Sequence, residues 1–331
     1  GGAINLFAGT ITHSGELNAN SMTMDAQGNI QLVAQENITL TGSSITTANN
    51  SAGDAGNITI ESQTGTTLVS GQLTATSEAN TGGQIHVLGE QVGIIDQANI
   101  DASGQAGGGE VLIGGDYQGN NPDVKNAQAI YIGQGTQIKA NAIETGDGGK
   151  VIAWSDGTTR VYGQLEAKGG AVSGDGGFIE TSGHYLEVGT KVPDVTATNG
   201  GAGTWLLDPE TIEIVNSTTN ITATGSGDPG PANFSSTVID AITQIDVNTI
   251  NAALNAGSNV ELVTAGAGTT TSGDIIVNAA ISKTADGGNA DGSILTLTAD
   301  RNIEINQSIT STVGKLDINL IADSNLGDGF T

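Results

Sequence analysis

The sequence predicts an all-β parallel β-solenoid (β-helix) of about 27 residues per turn, with one short helix near residues 246–256. Three observations carry that expectation. A glycine-led apolar phrase recurs along the chain at a nearly constant interval. The composition suits narrow aliphatic coils better than an aromatic globular core. Helical periodicity is confined to one short stretch.

The phrase is Gly–x–apolar–x–apolar. It appears at Gly2-Ala3-Ile4-Asn5-Leu6, Gly28-Asn29-Ile30-Gln31-Leu32, Gly56-Asn57-Ile58-Thr59-Ile60 and Gly83-Gln84-Ile85-His86-Val87. It continues at Gly109-Glu110-Val111, Gly149-Lys150-Val151, Gly177-Phe178-Ile179 and Gly203-Thr204-Trp205. The intervals between the leading glycines are 26, 28, 27, 26, 40, 28 and 26. A fixed period of this length marks a stacked repeat. Within each unit further period-2 segments follow, as in NITLTGSSITT (37–47), IIDQANIDA (94–102) and IYIGQGTQIKA (130–140). About three short strands per unit are therefore expected. One unit has too few inward aliphatics to offset the entropy of ordering its backbone. Stacking removes the difficulty, because each strand pairs with its counterpart one turn away. Roughly twelve such turns at ~4.8 Å each would make a rod about 55 Å long.

The composition fits. The 331 residues include 51 glycines and only 5 prolines, and aromatics make up 3%. Corners are expected to use glycine and asparagine for their tolerance of positive φ. Proline is scarce, as required where strands donate on both sides.

The elements then follow in order. Residues 1–209 read as regular coil, interrupted by a loop insertion near 114–128 (GGDYQGNNPDVKNAQ) that accounts for the long interval. Loops on rigid scaffolds are where recognition concentrates, but a tolerated surface insertion is the preferred reading of this one. Residues 210–258 read as an irregular connection, rich in Asn, Ser, Thr, Gly and Pro. At its end Val247, Ile250 and Leu254 have helical spacing and Gly257 is the stop, so a helix capping or flanking the rod is expected. Residues 259–331 read as further solenoid strands.

Charge excludes several functions. There are 35 acidic against 9 basic residues, a net charge of −26. Nucleic acid and anionic lipid both need a basic footprint, so neither is an expected partner. No stretch is apolar enough to insert in a membrane. With no cysteine, disulfides and thiolate sites are excluded. The start at Gly1 without a leader suggests a mature product or an excised segment.

A search for chemistry finds no catalytic residues. The histidines, His13, His86 and His184, share no local motif, and His86 faces solvent by alternation. No nucleophile accompanies a base. Asp54, Asp147 and Asp175 recur just before the strand-leading glycine. Stacked at a corner they have the charge for Ca²⁺. The tandem nonapeptide of calcium-binding β-rolls is absent, however. An Asp in a turn ordinarily binds its own backbone, and that reading is preferred. DGGNADG (286–292) is read in the same way. No metal or cofactor is expected. Of the Asn-x-Ser/Thr sites, Asn216, Asn220 and Asn233 are better placed for a glycan than Asn37, Asn57 or Asn306.

Several phrases in order, among them IGGDYQGNNPDVKNAQ, GDGGKVIAWSDGTTRVYGQLEAKGG, TWLLDPETIEI and TINAALNAGSNVELVT, resemble the filamentous haemagglutinin-like exoproteins of Gram-negative bacteria. The resemblance runs from about residue 80 to the end. It implies a right-handed β-helix, secreted to the exterior or cell surface through an outer-membrane β-barrel partner. It further implies an adhesin or biofilm shaft that meets a glycan or protein on a host or neighbouring cell. Open strand edges at the rod's ends make end-to-end self-association a further expectation. The alternative weighed is a polysaccharide-active β-helix enzyme, a lyase or hydrolase, and the expectation is that the chain is not one.

Overall fold

A computed structural model describes residues 1–218, 242–264, 273–288 and 292–324. The first turn is β1 (Ala3–Ala8), β2 (Ile11–His13) and β3 (Glu16–Asn18). The second is β4 (Asn29–Ala34), β5 (Ile38–Leu40) and β6 (Ile45–Thr47). The next two are β7 (Asn57–Ser62), β8 (Thr66–Val69), β9 (Gln72–Thr74) and β10 (Gln84–Leu88), β11 (Gln91–Ile94), β12 (Asn99–Asp101). Then come β13 (Glu110–Ile113), β14 (Ala127–Ile132) and β15 (Gln137–Lys139). β16 (Lys150–Val161) and β18 (Phe178–Val188) each run around a corner as one long strand, separated by β17 (Gln164–Glu166). β19 (Thr204–Asp208), β20 (Ile212–Val215), β21 (Thr243–Asp246), α1 (Val247–Asn255) and β22 (Asn259–Val263) follow. The chain continues through β23 (Ile275–Val277), β24 (Ile281–Lys283), β25 (Ser293–Thr298), β26 (Ile303–Ile305), β27 (Ile309–Ser311) and β28 (Leu316–Ile321).

These elements form a parallel β-solenoid of about 10 turns and about 28 residues per turn, 4% helical. The twelve turns expected from length alone are too many, in part because the loop insertion between β13 and β14 adds residues without adding a turn. One column carries β1, β4, β7, β10, β13, β16, β18, β19, β22, β25 and β28 in an unbroken parallel ladder. Ile4, Ile30, Ile58, Ile85, Val111, Val151, Ile179 and Trp205 stand in register within it. The third strands of the early turns make a six-stranded sheet, β3-β6-β9-β12-β15-β17.

Packing explains the glycines differently from expectation. The strand-leading glycines do not have positive φ. Their constraint is close approach. A Cβ on Gly56 would lie 2.1 Å from the Gly28 carbonyl oxygen, and one on Gly149 would lie 2.0 Å from that of Gly109. The turns touch backbone to backbone along this edge, leaving no room for a methyl group. Asn and Asp side chains clamp the turns elsewhere. Asn20 Oδ1 accepts from Asn49 N at 2.7 Å, and Asn49 Oδ1 accepts from Thr76 N at 2.8 Å.

α1 is not a cap on the rod. It forms one wall of a turn, with Val247, Ile250, Ala253 and Leu254 inside the core. Asp246 caps its N-terminus by accepting from Asn248 N. A helix cannot offer a strand edge to β24, one turn on. Asn251 and Asn255 supply the acceptors instead, Asn251 Oδ1 to Ser282 N at 2.8 Å and Asn255 Oδ1 to Thr284 N at 2.6 Å. Within the 210–258 interval, β21 pairs with β20 out of chain order, and Leu186 N of β18 donates to Thr243 Oγ1.

Candidate functional site

The outer wall of the long column changes character along the rod. At its central outward position the residues in register read Asn5, Gln31, Thr59, His86, Leu112, Ile152, Glu180, Leu206, Glu261, Thr296 and Asn319. Leu112, Ile152 and Leu206 are almost fully buried, yet they lie outside the main core cluster. They are buried because the insertion between β13 and β14 folds back over this wall.

The insertion is tied down by polar contacts. Asp116 accepts from Tyr117 N at 2.7 Å and from Asn121 Nδ2 at 2.8 Å. Asn126 Nδ2 donates to the Gly119 carbonyl and to Asp156 Oδ1. Gln118 takes a left-handed conformation, φ 50°, uncommon for a residue with a Cβ. Its backbone N–H donates to Glu180 Oε1 at 3.2 Å and its side-chain amide to Asp208 Oδ2 at 3.0 Å. Two contacts to different turns hold it there.

A charge ladder lines the near side. His86 Nε2 lies 3.0 Å from Glu110 Oε1, and Lys150 Nζ lies 2.7 Å from Glu110 Oε2 and 3.0 Å from Asp116 Oδ1. The His86 hydrogen bond, with help from Lys150, holds the Glu110 carboxyl below its usual range against the effect of burial. For Asp116 burial pushes upward, but the bonds from Asn121, Tyr117 N–H and Lys150 outweigh it and the carboxyl is lowered. The far side is acidic, and among the described residues Glu180, Asp208 and Glu261 make no ion pair. Burial pushes Glu180 up to about 8, against the Gln118 and Ser182 hydrogen bonds, and nearby carboxylates add to it. Burial likewise raises Asp208 to about 6 and raises Glu261. Asp208 Oδ1 is buried without a hydrogen-bond partner.

Beside this wall lies an open groove of about 870 Å³. Its floor is the stacked glycine edge, and Lys150, Tyr117, Phe178, Asp147, Asp175 and Thr204 border it. The Tyr117 and Phe178 rings are 5.8 Å apart and inclined at 58°. A smaller hollow of about 150 Å³ shares Thr204 and continues past Asn259, Glu261, Thr296 and Asn319.

The residues singled out by sequence are dispersed. His13, His86 and His184 sit on separate turns, and His184 Nε2 meets Glu210 Oε2 at 2.9 Å. Among the described residues no three His, Asp or Glu side chains are grouped to hold a metal. Asp54, Asp147 and Asp175 bind backbone, but that of the next turn: Thr81 N, Asp175 N and Gly201 N, at 3.2, 2.8 and 2.7 Å. In a coil the nearest free N–H lies one turn up. Part of DGGNADG, residues 289–291, lies outside the described residues, as do Asn220 and Asn233. Asn37, Asn216 and Asn306 are all exposed; Asn37 Oδ1 accepts from Thr66 N at 2.9 Å, and Asn306 Nδ2 donates to Asn278 Oδ1 at 2.9 Å.

Sequence reasoning missed Gln118, Glu180 and Asp208. One signal was present. Alternation fails in Val111-Leu112-Ile113, Val151-Ile152-Ala153-Trp154 and Trp205-Leu206-Leu207. A strand apolar at every position is covered on both faces.

The molecule is thus a parallel β-solenoid carrying a loop-roofed wall and an adjoining groove. No family model matches the chain, and no curated protein does. Among solved structures it is similar to the HMW1 secretion domain from Haemophilus influenzae, at 19% identity and a TM-score of 0.36. That match covers 62% of this chain and 66% of the other, just under two thirds of its length. Among the described residues no helix is long and apolar enough to cross a membrane.

Proposed function

We propose that the chain is an extracellular structural and adhesive shaft of a secreted surface exoprotein of the filamentous haemagglutinin-like type, without a catalytic centre. The observation that carries this reading is the unbroken eleven-strand ladder from β1 to β28. Every turn is bonded to the next, so force or distance along the axis is borne by rows of parallel hydrogen bonds. The outer-membrane β-barrel secretion partner, the surface glycan or protein ligand, the Gram-negative cell surface and end-to-end association belong to this proposal. Among the described residues β1 pairs only with β4 and β28 only with β25 in this column, and β28 exposes Ile318, Leu320 and Ile321. Single-molecule pulling on the chain tests the shaft: unfolding in successive steps of about one turn is expected. A single step releasing the whole chain would overturn it. Surfaces coated with the chain should also retain cells that uncoated surfaces do not.

A polysaccharide-active enzyme is the second reading. What favours it is the pair Glu180 and Asp208, with pKa values raised to about 8 and about 6 and joined through Gln118. Opposed to it is that both carboxyls are buried beneath Gln118, closed to substrate. Release of reducing ends or unsaturated products from a polysaccharide panel, abolished in Glu180→Gln, would establish it over the shaft without catalysis.

A further inference from the structure

The geometry points to a binding site for an uncharged polysaccharide chain, lying along the rod axis over the glycine edge with a sugar ring against Tyr117 and Phe178. This rests on the adhesive reading above and names its ligand class and place.

The groove's own chemistry selects the ligand. Its floor offers no free backbone donors. Gly108 N, Gly148 N and Gly176 N donate to the carbonyls of Asp147, Asp175 and Gly201, and Gly109 N, Gly149 N and Gly177 N are similarly used. An anion, which needs such donors, would meet only Lys150, and Lys150 is already paired with Glu110 and Asp116. The exposed carboxylates of Asp147 and Asp175 and the net charge of −26 repel it further. A metal ion lacks a grouped ligand set among the described residues. What remains available is acceptors and aromatic surface. A ligand that matches carries many hydroxyl donors and an apolar C–H face, with no negative charge, and that describes a neutral sugar ring.

Shape agrees. Tyr117 is 47% exposed although aromatics are rare in this chain, and it stands over the groove on a loop fixed by Asp116 and Gln118. The Tyr117 and Phe178 rings form a tilted pair open to the groove. Asp147 and Asp175 occupy equivalent places on successive turns, about 4.8 Å apart by ladder spacing. That period is close to the length of one pyranose unit in an extended chain, so successive sugars meet successive turns. The groove is open and continues through Thr204 into the second hollow, which suits a polymer better than a small molecule.

The test uses the full chain and neutral hexasaccharides as probes: cellohexaose, mannohexaose and chitohexaose, with heparin and polygalacturonate as anionic controls. Binding is read by calorimetry and by tyrosine fluorescence. At least one neutral probe should bind, and neither anionic polymer should bind as tightly. Tyr117→Ala should weaken the bound probe about tenfold, as expected when an aromatic anchor is removed. Tyr117→Phe should keep affinity within about threefold, and Asp147→Asn should lower it. Circular dichroism and tryptophan emission verify that the variants are folded. If no neutral probe binds, if Tyr117→Ala leaves affinity unchanged, or if heparin binds best, the site is wrong. The stepwise unfolding of the shaft is indifferent to all three outcomes, so failure here leaves that reading standing.

Discussion

Replacing Glu180 by Gln should remove a pH-dependent weakness from the middle of the rod. Glu180 is fully buried on the outer wall, and burial raises its carboxyl to about 8 from the usual 4.5. The folded chain therefore binds this proton more tightly than the unfolded chain. Stability is full below about pH 4.5, falls as pH rises through about 8, and is level above that. At ~1.4 kcal/mol per pKa unit, the loss between about pH 5 and about pH 9 is roughly 4 kcal/mol, with about 1.4 kcal/mol of it above pH 7. Asp208, raised to about 6, has nearly finished titrating by pH 7, and Glu261, also raised, is common to both proteins, so the difference between wild type and variant above pH 7 isolates Glu180. The amide of Glu180→Gln keeps an oxygen to accept from Gln118 N and carries no charge. The two tryptophans flank this wall, Trp154 on its outer side and Trp205 in the core next to the wall residue Leu206. Trp154 packs beneath Gly115 and Gly119, and Trp205 pairs with Ile179. Urea unfolding followed by their emission should show the wild-type midpoint falling between pH 7 and pH 9 and the variant's staying level. An equal fall in both proteins would refute the assignment of buried charge to Glu180.

Other expectations test the coil itself. Gly149→Ala would place a methyl 2.0 Å from the Gly109 carbonyl oxygen and should cost about 3 kcal/mol or more. Gly42→Ala, with open space around it, should stay within about 0.5 kcal/mol, and chemical denaturation compares the two. Asn255→Ala strips the acceptor from Thr284 N and Ala285 N and should cost about 1–3 kcal/mol locally. Hydrogen exchange should quicken at those two amides and not in β7. Exchanging Ca²⁺ for a chelator should leave the melting temperature unchanged, because Asp54, Asp147 and Asp175 each hold a backbone N–H of the next turn with one oxygen and no three carboxylates are grouped among the described residues. A calcium-dependent rise of several degrees would contradict that assignment.

The coil was legible because its rule is local and repeated. Each turn must present an inward aliphatic pair after a glycine, so the spacing of that phrase gives the register directly. The successive pairings of Asn29 with Asn57, Asn57 with Gln84, Gln84 with Glu110 and Glu110 with Lys150 reproduce the intervals 28, 27, 26 and 40. α1 was legible for the same reason, since its apolar spacing is local. Its place within a turn was not, because that depends on Asn251 and Asn255 replacing a strand edge. The wall was least legible. Gln118 reaches Glu180 and Asp208 across 62 and 90 residues, and no period connects them. Glu180 itself reads as an ordinary outward polar residue in Phe178-Ile179-Glu180-Thr181.

The lapse of alternation and the insertion are one feature seen twice. A bare coil wall is best served by polar outward residues, as at Gln31, Thr59 and His86. Leu112, Ile152 and Leu206 would be a liability there unless something covered them. The cover is the chain that leaves the coil immediately after β13 and returns at β14, so the extra residues appear beside the first of these aliphatics. Glu180 and Asp208 lie where the cover's tip lands, and there the contact becomes polar and directional. Apolar area attaches the loop, and the carboxylates fix the orientation of Gln118 and with it Tyr117. A ring held at a set height over an open groove is what the proposed sugar site requires, and the wall that receives the loop is rebuilt over several turns to hold it there.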